Sequence, residues 1–373
     1  MRKLLQSALL ALASMSSLYA QQYNQTDSFI KSNSVWNIFP NVKYNFNTGI
    51  SSNTTQLGGD EGCSTVSDPN TGALLFYSDG GKCYNATGAV MANGNGLLGN
   101  STTGYTSAQG VCIVPVPGQN KKYYLFSLES NFDVVTPVNV YYSIVDMNLN
   151  NGLGDVVAGS KNVLLEGSAV LSEAMVAIPG NNCDVWLMLH TAASATFKAY
   201  HITTAGINPT PVLSTAGTQI QGVASVTVMG DVPAYTQATM AVSPNRQKLA
   251  VSCMHIASLG AFSITATTGN RLWGGLLCNF NANTGVVSGG ILTDTMPQYS
   301  AAFSPDNSKL YYTTPYNNPG AGTVPTRVSQ LTITSNDSAA IAASKVIVKP
   351  MVPSNGVLVG MRAYRDSIYV LNP

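Results

Sequence analysis

Pro179-Gly180-Asn181-Asn182, followed by Val185-Trp186-Leu187-Met188, is a tight turn leading into a short apolar strand. The same phrase returns along the chain. Asp68-Pro69-Asn70-Thr71-Gly72 precedes Leu74-Leu75-Phe76-Tyr77, and Pro117-Gly118-Gln119-Asn120 precedes Tyr123-Tyr124-Leu125-Phe126. Ser243-Pro244-Asn245-Arg246 precedes Leu249-Ala250-Val251, and Ser304-Pro305-Asp306-Asn307 precedes Leu310-Tyr311-Tyr312. A degenerate copy, Tyr364-Arg365-Asp366, precedes Ile368-Tyr369-Val370. With Phe76, Leu125, Leu187, Ala250, Tyr311 and Tyr369 as markers, the spacings are 49, 62, 63, 61 and 58 residues. A repeat of this size, built from strands and turns, predicts an array of like β units, one per blade of a propeller.

Each unit has a second half. Tyr141-Tyr142-Ser143-Ile144-Val145-Asp146 runs into Asn150-Asn151-Gly152, and Leu276-Leu277-Cys278-Asn279-Phe280 runs into Asn283-Thr284-Gly285. Strand patterns that end on Asn-Gly and Thr-Gly turns are hairpin signals. Two hairpins per unit give a four-stranded blade. The sequence therefore predicts an all-β propeller of four-stranded blades, six in number, with seven as the alternative. The Ala-rich stretch from Ala339 to Ser344 is too short to predict a helix.

The sixth unit stops after its first half. Val42-Lys43-Tyr44-Asn45-Phe46-Asn47-Thr48-Gly49 reads like Asn279-Phe280-Asn281-Ala282-Asn283-Thr284-Gly285. The expectation is that Val42–Phe46 supplies an outer strand to the sheet holding Ile368–Val370, so that N- and C-terminal strands close the ring and remove its open edges. The rival expectation is that the chain is the front of a longer protein with more blades.

The first twenty residues read as a secretory signal. Arg2 and Lys3 precede the apolar run from Leu4 to Leu12, and Leu18-Tyr19-Ala20 ends on a small residue. The predicted division is a signal peptide over 1–20 and one propeller domain over 21–373. No later run is long and apolar enough for a membrane span. Only 9% of residues are charged and the formal net charge is +1, which argues against nucleic acid as a partner. A surface made of Asn, Ser, Thr, Gln and Gly suits a glycan or protein partner. Six cysteines in an exported chain raise the question of disulfides. Cys253 and Cys278 fall on neighbouring predicted strands and form the favoured pair; free buried thiols are the alternative.

Several stretches resemble the secreted WD-repeat-like propeller proteins of Bacteroidota. They are Asp60-Glu61-Gly62-Cys63-Ser64-Thr65-Val66-Ser67-Asp68, Leu74-Leu75-Phe76-Tyr77-Ser78-Asp79-Gly80 and Met91-Ala92-Asn93-Gly94-Asn95-Gly96-Leu97. Tyr142-Ser143-Ile144-Val145-Asp146-Met147 with Gly152-Leu153-Gly154-Asp155-Val156, and Phe303-Ser304-Pro305-Asp306, continue the likeness in the expected order. The resemblance implies a propeller exported to the cell surface, with the periplasm as the alternative. Such proteins often carry gliding-motility or type IX sorting domains at their C-termini, and no counterpart is seen within these residues.

The signals for chemistry are sparse. Gly94-Asn95-Gly96-Leu97-Leu98-Gly99 matches a dinucleotide fingerprint, but Asn100-Ser101-Thr102-Thr103-Gly104 cannot open the helix that the fingerprint requires, so no cofactor is expected. His190, His201 and His255 lack metal-ligand spacing, and no metal is expected. Glycoside hydrolysis needs two carboxylates across a cleft. The candidates are Asp60, Glu61, Asp155, Glu166 and Glu173. The Asp-box of sialidase propellers and the G-x-S-x-G elbow are missing. If the protein is an enzyme, Glu173, His190 and Asp155 around the channel mouth are the residues to carry it. The loop tyrosines Tyr105, Tyr235, Tyr299 and Tyr316 are the ligand-contact candidates, because tyrosine joins a flat apolar ring to a hydrogen-bonding tip. The leading expectation is a non-catalytic binder of a protein or glycan, acting in adhesion or a surface assembly; the runner-up is a polysaccharide-active hydrolase or lyase of propeller fold.

Overall fold

The computed structural model describes residues 22–38, 41–54, 57–58, 61–130, 137–192, 194–217, 238–253, 274–294, 298–314, 326–350 and 359–371. It is a six-bladed β-propeller in which five blades follow one another along the chain. Blade I is Ser64–Ser67, Leu74–Ser78, Lys82–Asn85 and Val90–Asn95, paired in that order. Blade II runs Val111–Pro115, Lys122–Leu128 and Val140–Asp146. Its outer position is split between Asp155–Val156 and Val163–Glu166, both of which pair with Val140–Asp146. Blade III repeats that plan with Leu171–Pro179, Val185–Thr191 and Thr196–Thr203, then Gly206–Ile207 and Val212–Thr215. Blade IV is Ala238–Val242, Lys248–Cys253, Gly274–Phe280 and Val287–Asp294, and blade V is Ser300–Phe303, Lys309–Thr314, Arg327–Thr332 and Val346–Pro350.

The first strand of each blade stands beside the first strand of the next, which lines a central channel. The core is divided accordingly into interfaces between blades. Phe76, Met91 and Leu125 pack between blades I and II, Phe126, Leu187 and Tyr200 between II and III, and Trp186, Phe197 and Leu276 between III and IV. Alternation along each strand sends its side chains to the two neighbouring interfaces in turn.

The repeated turn has a physical cause. Ser243 Oγ donates to Asn245 Oδ1 and accepts from the backbone N–H of Lys248 (2.9 Å). Ser304 does the same with Asp306 and Lys309. The turn then needs a residue in the left-handed region. Gly72 fills it in blade I, and Lys121, Cys183, Arg246, Asn307 and Arg365 fill it in the later copies, with φ between 53° and 62° for these five. The repeat read from the sequence is therefore a repeat of turn geometry.

The sixth blade is split, and here the structure corrects the expected ring closure. Val35–Ile38, Val42–Asn45 and Ile50–Asn53 form a three-stranded sheet, whereas among the described residues Met361–Tyr364 and Ser367–Val370 pair only with each other. Tyr44 lies between Trp36 on one side and Ser51 on the other, so both edges of its strand are occupied. No edge is left for Ile368–Val370. The strand that excludes it, Val35–Ile38, was not anticipated. The two sheets meet through side chains instead. Trp36 and Phe46 pack against Tyr364 and Tyr369, with ring centroids 4.4–5.9 Å apart. The Arg362 guanidinium lies 5.0 Å above the Trp36 ring and donates to Asn33 Oδ1. Termini do close the ring, by aromatic packing rather than by a shared ladder.

Helix is almost absent from the described residues. Helix α1 (Asp27–Ser32) is capped by Thr26 Oγ1, which accepts from Phe29 N. The segment before it crosses one end of the ring. Tyr23 N donates to Pro244 O (3.3 Å), Gln22 Nε2 to Pro305 O (3.1 Å) and Gln25 Nε2 to Arg365 O (3.1 Å), so this strap touches three successive blade turns. Helix α2 (Ser338–Ala343) forms where the sequence predicted none. Asp337 caps it, and Ile341 is fully buried between blades IV and V. Docking, not intrinsic propensity, holds one and a half turns together.

Candidate functional site

Two places in the propeller gather polar side chains. One is the channel mouth at the start of the inner strands, opposite the strap. The other is the turn face between blades III and IV.

At the mouth, the ladder of blade III is interrupted. Leu171 pairs with Thr191 and Met175 with Leu189, so Ser172, Glu173 and Ala174 face the single residue His190. This bulge places the Glu173 carboxyl among loops from blade II. Glu173 is fully buried; it accepts from Ser130 Oγ and from Ala108 N (3.0 Å). Beside it, the Gln109 amide stitches blades together. Its oxygen accepts from Met175 N (3.2 Å) and Met240 N (2.8 Å), and its nitrogen donates to Met240 O (2.9 Å). Tyr299, from the entry to blade V, donates its hydroxyl to Glu61 Oε1 at 2.7 Å. Burial, then the charge and hydrogen bond of Glu61, then the charge of Glu173, hold the Tyr299 phenol well above its ordinary range. It is a permanent donor at any physiological pH.

The sequence-derived candidates separate on this map. Glu173 lies at the mouth, buried and bonded. Asp155 does not: it sits on an outer strand of blade II, and its Oδ1 accepts from Asn93 N (2.8 Å) of blade I. His190 lies across the ladder from Glu173, but its ring is buried against Phe197. It lies on the second strand of blade III, 3% exposed, with its ring edge-on to Phe197 and neither nitrogen bonded within the described structure. Burial alone pushes its imidazole down to about 4. His190 and His201 are on neighbouring strands, but His190 pairs with Phe197 whereas His201 pairs with Trp186 at the other end. His201 is stacked on Trp186 and bonded to Asp184, so the two histidines share no site. Glu166 is bound by Lys198, Tyr200 and Ser168; burial alone raises its carboxyl, but these partners outweigh it and hold it down to about 2.

Of the tyrosines, Tyr299 is consumed by Glu61. The Tyr105 ring covers Gly58 and Gly81 so closely that a Cβ on Gly81 would lie 2.2 Å from its hydroxyl. Tyr235 and Tyr316 lie outside the described residues, as do Asp60 and His255. The favoured disulfide is corrected by the register. Cys253 pairs with Gly274 and Cys278 with Leu249, at opposite ends of one ladder. That is four residues of strand, about 13 Å, too far for an S–S bond. Cys278 is a buried free thiol, and burial pushes it up to about 12. Among the described residues, no group of three or more His, Cys, Asp or Glu is placed to hold a metal, and no helix is long and apolar enough to cross a membrane.

The turn face was missed by the sequence reading. A cavity of about 310 Å³ lies there, lined by Asn181, Asn245, Arg246, Gln247, Phe280, Asn281, Ala282 and Asn283. Its walls are rigid. Trp186 Nε1 donates to Ala282 O (2.9 Å), and the Trp186 ring sits where a Cβ on Gly285 would be. Arg246 Nη1 donates to Gly180 O (2.6 Å) and Pro179 O (3.3 Å), across the blade boundary. The signal was present in the repeat itself: blade IV carries Arg246 where blade V carries Asn307, a charge in a chain that has few.

No protein-family model matches this sequence, and no curated protein matches it. Solved structures match it with low scores. The chain is similar to KlHsv2 with its loop 6CD replaced by a Gly-Ser linker, at 9% identity and a TM-score of 0.43, covering 91% of this chain and 86% of that one. It is similar to a putative 6-phosphogluconolactonase from Bacteroides uniformis, at 12% identity and a TM-score of 0.37, covering 83% and 76%. A putative exo-beta-1,3-galactanase from Bifidobacterium bifidum matches at 9% identity and a TM-score of 0.36, covering 87% and 94%.

Proposed function

We propose that the protein is an exported propeller that binds a glycan or protein partner at a surface and does no chemistry on it. The observation that carries this reading is the contrast between its two polar sites. At the channel mouth the Glu173 carboxylate is fully buried and bonded, and the Glu61 carboxylate is bonded to Tyr299. Such groups stabilise the ring; they do not meet a substrate. On the turn face five amides and one guanidinium, with Phe280 and Ala282 between them, line an open cavity. That is the chemistry of recognition, because amides neither give up nor take protons near neutral pH. The signal-like residues 1–20 and the sparse charge support export and an uncharged polar surface.

The runner-up, a polysaccharide-active enzyme, is favoured by one observation: the mouth holds two carboxylates, Glu61 bonded to Tyr299 and Glu173 bonded to Ser130 and Ala108. A panel of plant and microbial polysaccharides decides between them. Binding without turnover is expected. Turnover that disappears in Glu173→Ala, with the fold intact, would replace the binding reading with the enzymatic one.

A further inference from the structure

We infer that the turn-face cavity is a binding subsite for a carboxylated sugar, a uronic acid residue of a glycan. The inference rests on the glycan form of the reading above.

The argument is a count of donors and acceptors. Of the five amide oxygens in the wall, four accept a bond from the protein, and Asn181 Oδ1 is the exception among the described residues. Asn281 Oδ1 accepts from Asn283 N (3.0 Å), Asn283 Oδ1 accepts from Asn181 Nδ2, and Gln247 Oε1 accepts from Asn245 Nδ2 (3.3 Å). Three amide nitrogens are left over: Asn281 Nδ2, Asn283 Nδ2 and Gln247 Nε2 have no protein partner among the described residues. Arg246 spends only Nη1 on the backbone, and its Nε is buried without a partner among the described residues. The cavity therefore offers an excess of N–H donors and one fixed positive charge, and no Asp or Glu lines it. A ligand that satisfies it must be rich in acceptors and carry a negative charge. Guanidinium matches carboxylate with two parallel N–H bonds, and amide NH₂ groups match ring and hydroxyl oxygens.

Size narrows the class. About 310 Å³ is at the low end for ligand pockets, room for a small saccharide and too small for a peptide anchor with its flanking chain. The walls exclude cationic ligands by charge, and they offer no apolar funnel for a lipid. Arg246 is also rigidly placed. Its backbone is in the left-handed region (φ 58°), and the neighbouring Asn245 N donates to Asn307 Oδ1 of the next turn (3.0 Å). A preformed site of this kind loses little entropy when it is filled.

The test is calorimetric titration of the whole protein with an oligogalacturonide, with its neutral galactose counterpart, and with acetate as the free carboxylate. Preference for the oligogalacturonide over both controls is expected. Arg246→Gln should weaken it about tenfold or more, the worth of a charge-assisted pair. Asn281→Ala removes one donor together with the Oδ1 that accepts from Asn283 N, and leaves the Arg246 bonds to Pro179 and Gly180 in place; titrated well below its own melting temperature, it should weaken binding several-fold. Equal affinity for the neutral sugar, unaffected by either substitution, overturns the subsite and leaves the glycan reading standing. Binding of acetate as tight as that of the oligogalacturonide reduces the site to a carboxylate trap and overturns the sugar assignment. Failure of both sugars to bind overturns the subsite, and the polysaccharide panel above then decides the glycan form of the reading separately.

Discussion

The Tyr299 hydroxyl donates to Glu61 Oε1 across 238 residues of sequence, joining the entry of blade V to the entry of blade I. Thr239 Oγ1 donates in turn to Tyr299 O (2.7 Å), which brings blade IV into the same contact. One residue thus connects three sectors of the ring, through its phenol and its backbone carbonyl. Tyr299→Phe is expected to keep the fold and to lose about 1–2 kcal/mol of unfolding free energy, the cost of a hydrogen bond removed from a mostly buried carboxylate. Urea denaturation measures it. A change below a few tenths of a kcal/mol would show that water replaces the phenol at no cost.

His190 gives the protein an acid-sensitive interface. Its imidazole titrates near 6.5 when unfolded and about 4 when folded, because burial penalises the charged form. The unfolded state therefore binds the extra proton first as pH drops. Stability is constant above about 6.5, falls between 6.5 and 4 by on the order of 3 kcal/mol, and has lost the whole increment below 4. Denaturation at pH 7 and pH 4.5 should show the loss, and His190→Leu should abolish most of it. An unchanged pH dependence in that variant removes His190 as the source.

The thiols make a sharp chemical prediction. Cys183 is exposed, whereas Cys83 and Cys278 are buried with their ionisation pushed up by burial. Brief alkylation of the native protein, followed by peptide mapping, should label Cys183 and spare the other two until denaturant is added. A disulfide-linked peptide joining Cys253 to Cys278 under non-reducing conditions would contradict the register described above.

The seam between the two halves of the sixth blade should be testable by coupling. Trp36 is 6% exposed and touches Phe46, Tyr364 and Tyr369. Trp36→Ala is expected to cost roughly 3–5 kcal/mol. A double-mutant cycle with Tyr369→Ala should return about 0.5–1.5 kcal/mol of interaction energy. Strict additivity would mean that the rings are neighbours without being partners.

What could be read from the sequence follows the range of the forces involved. The turns are set by residues three to five apart, Ser243 with Asn245 and Lys248 for example, and so they announced the blades and their number. The closure did not follow, because Val42–Asn45 had two possible neighbours and only the docking of Trp36 decides between them. Helix α2 escaped notice for the same reason, since Ile341 is stabilised by residues from other blades. At the mouth, Glu173 was legible from its position before a strand, yet the partners that occupy it, Ser130 and Ala108, come from another blade. The turn-face cavity was hidden in plain sight: Asn181, Arg246 and Asn281 were read as punctuation, and their second use appears only where two turns meet.

The split sixth blade also bears on how repeats are gained and lost. Every other blade is sewn by continuous ladders, so cutting into it would orphan rows of N–H and C=O groups. Among the described residues no ladder joins Ser367–Val370 to Val35–Ile38, so none would be cut there. A further four-stranded unit inserted there would separate a pair of aromatic faces and leave every backbone hydrogen bond of both sheets intact. The place where the chain meets itself is therefore built like a boundary between two blades, held by side chains, although it falls inside one.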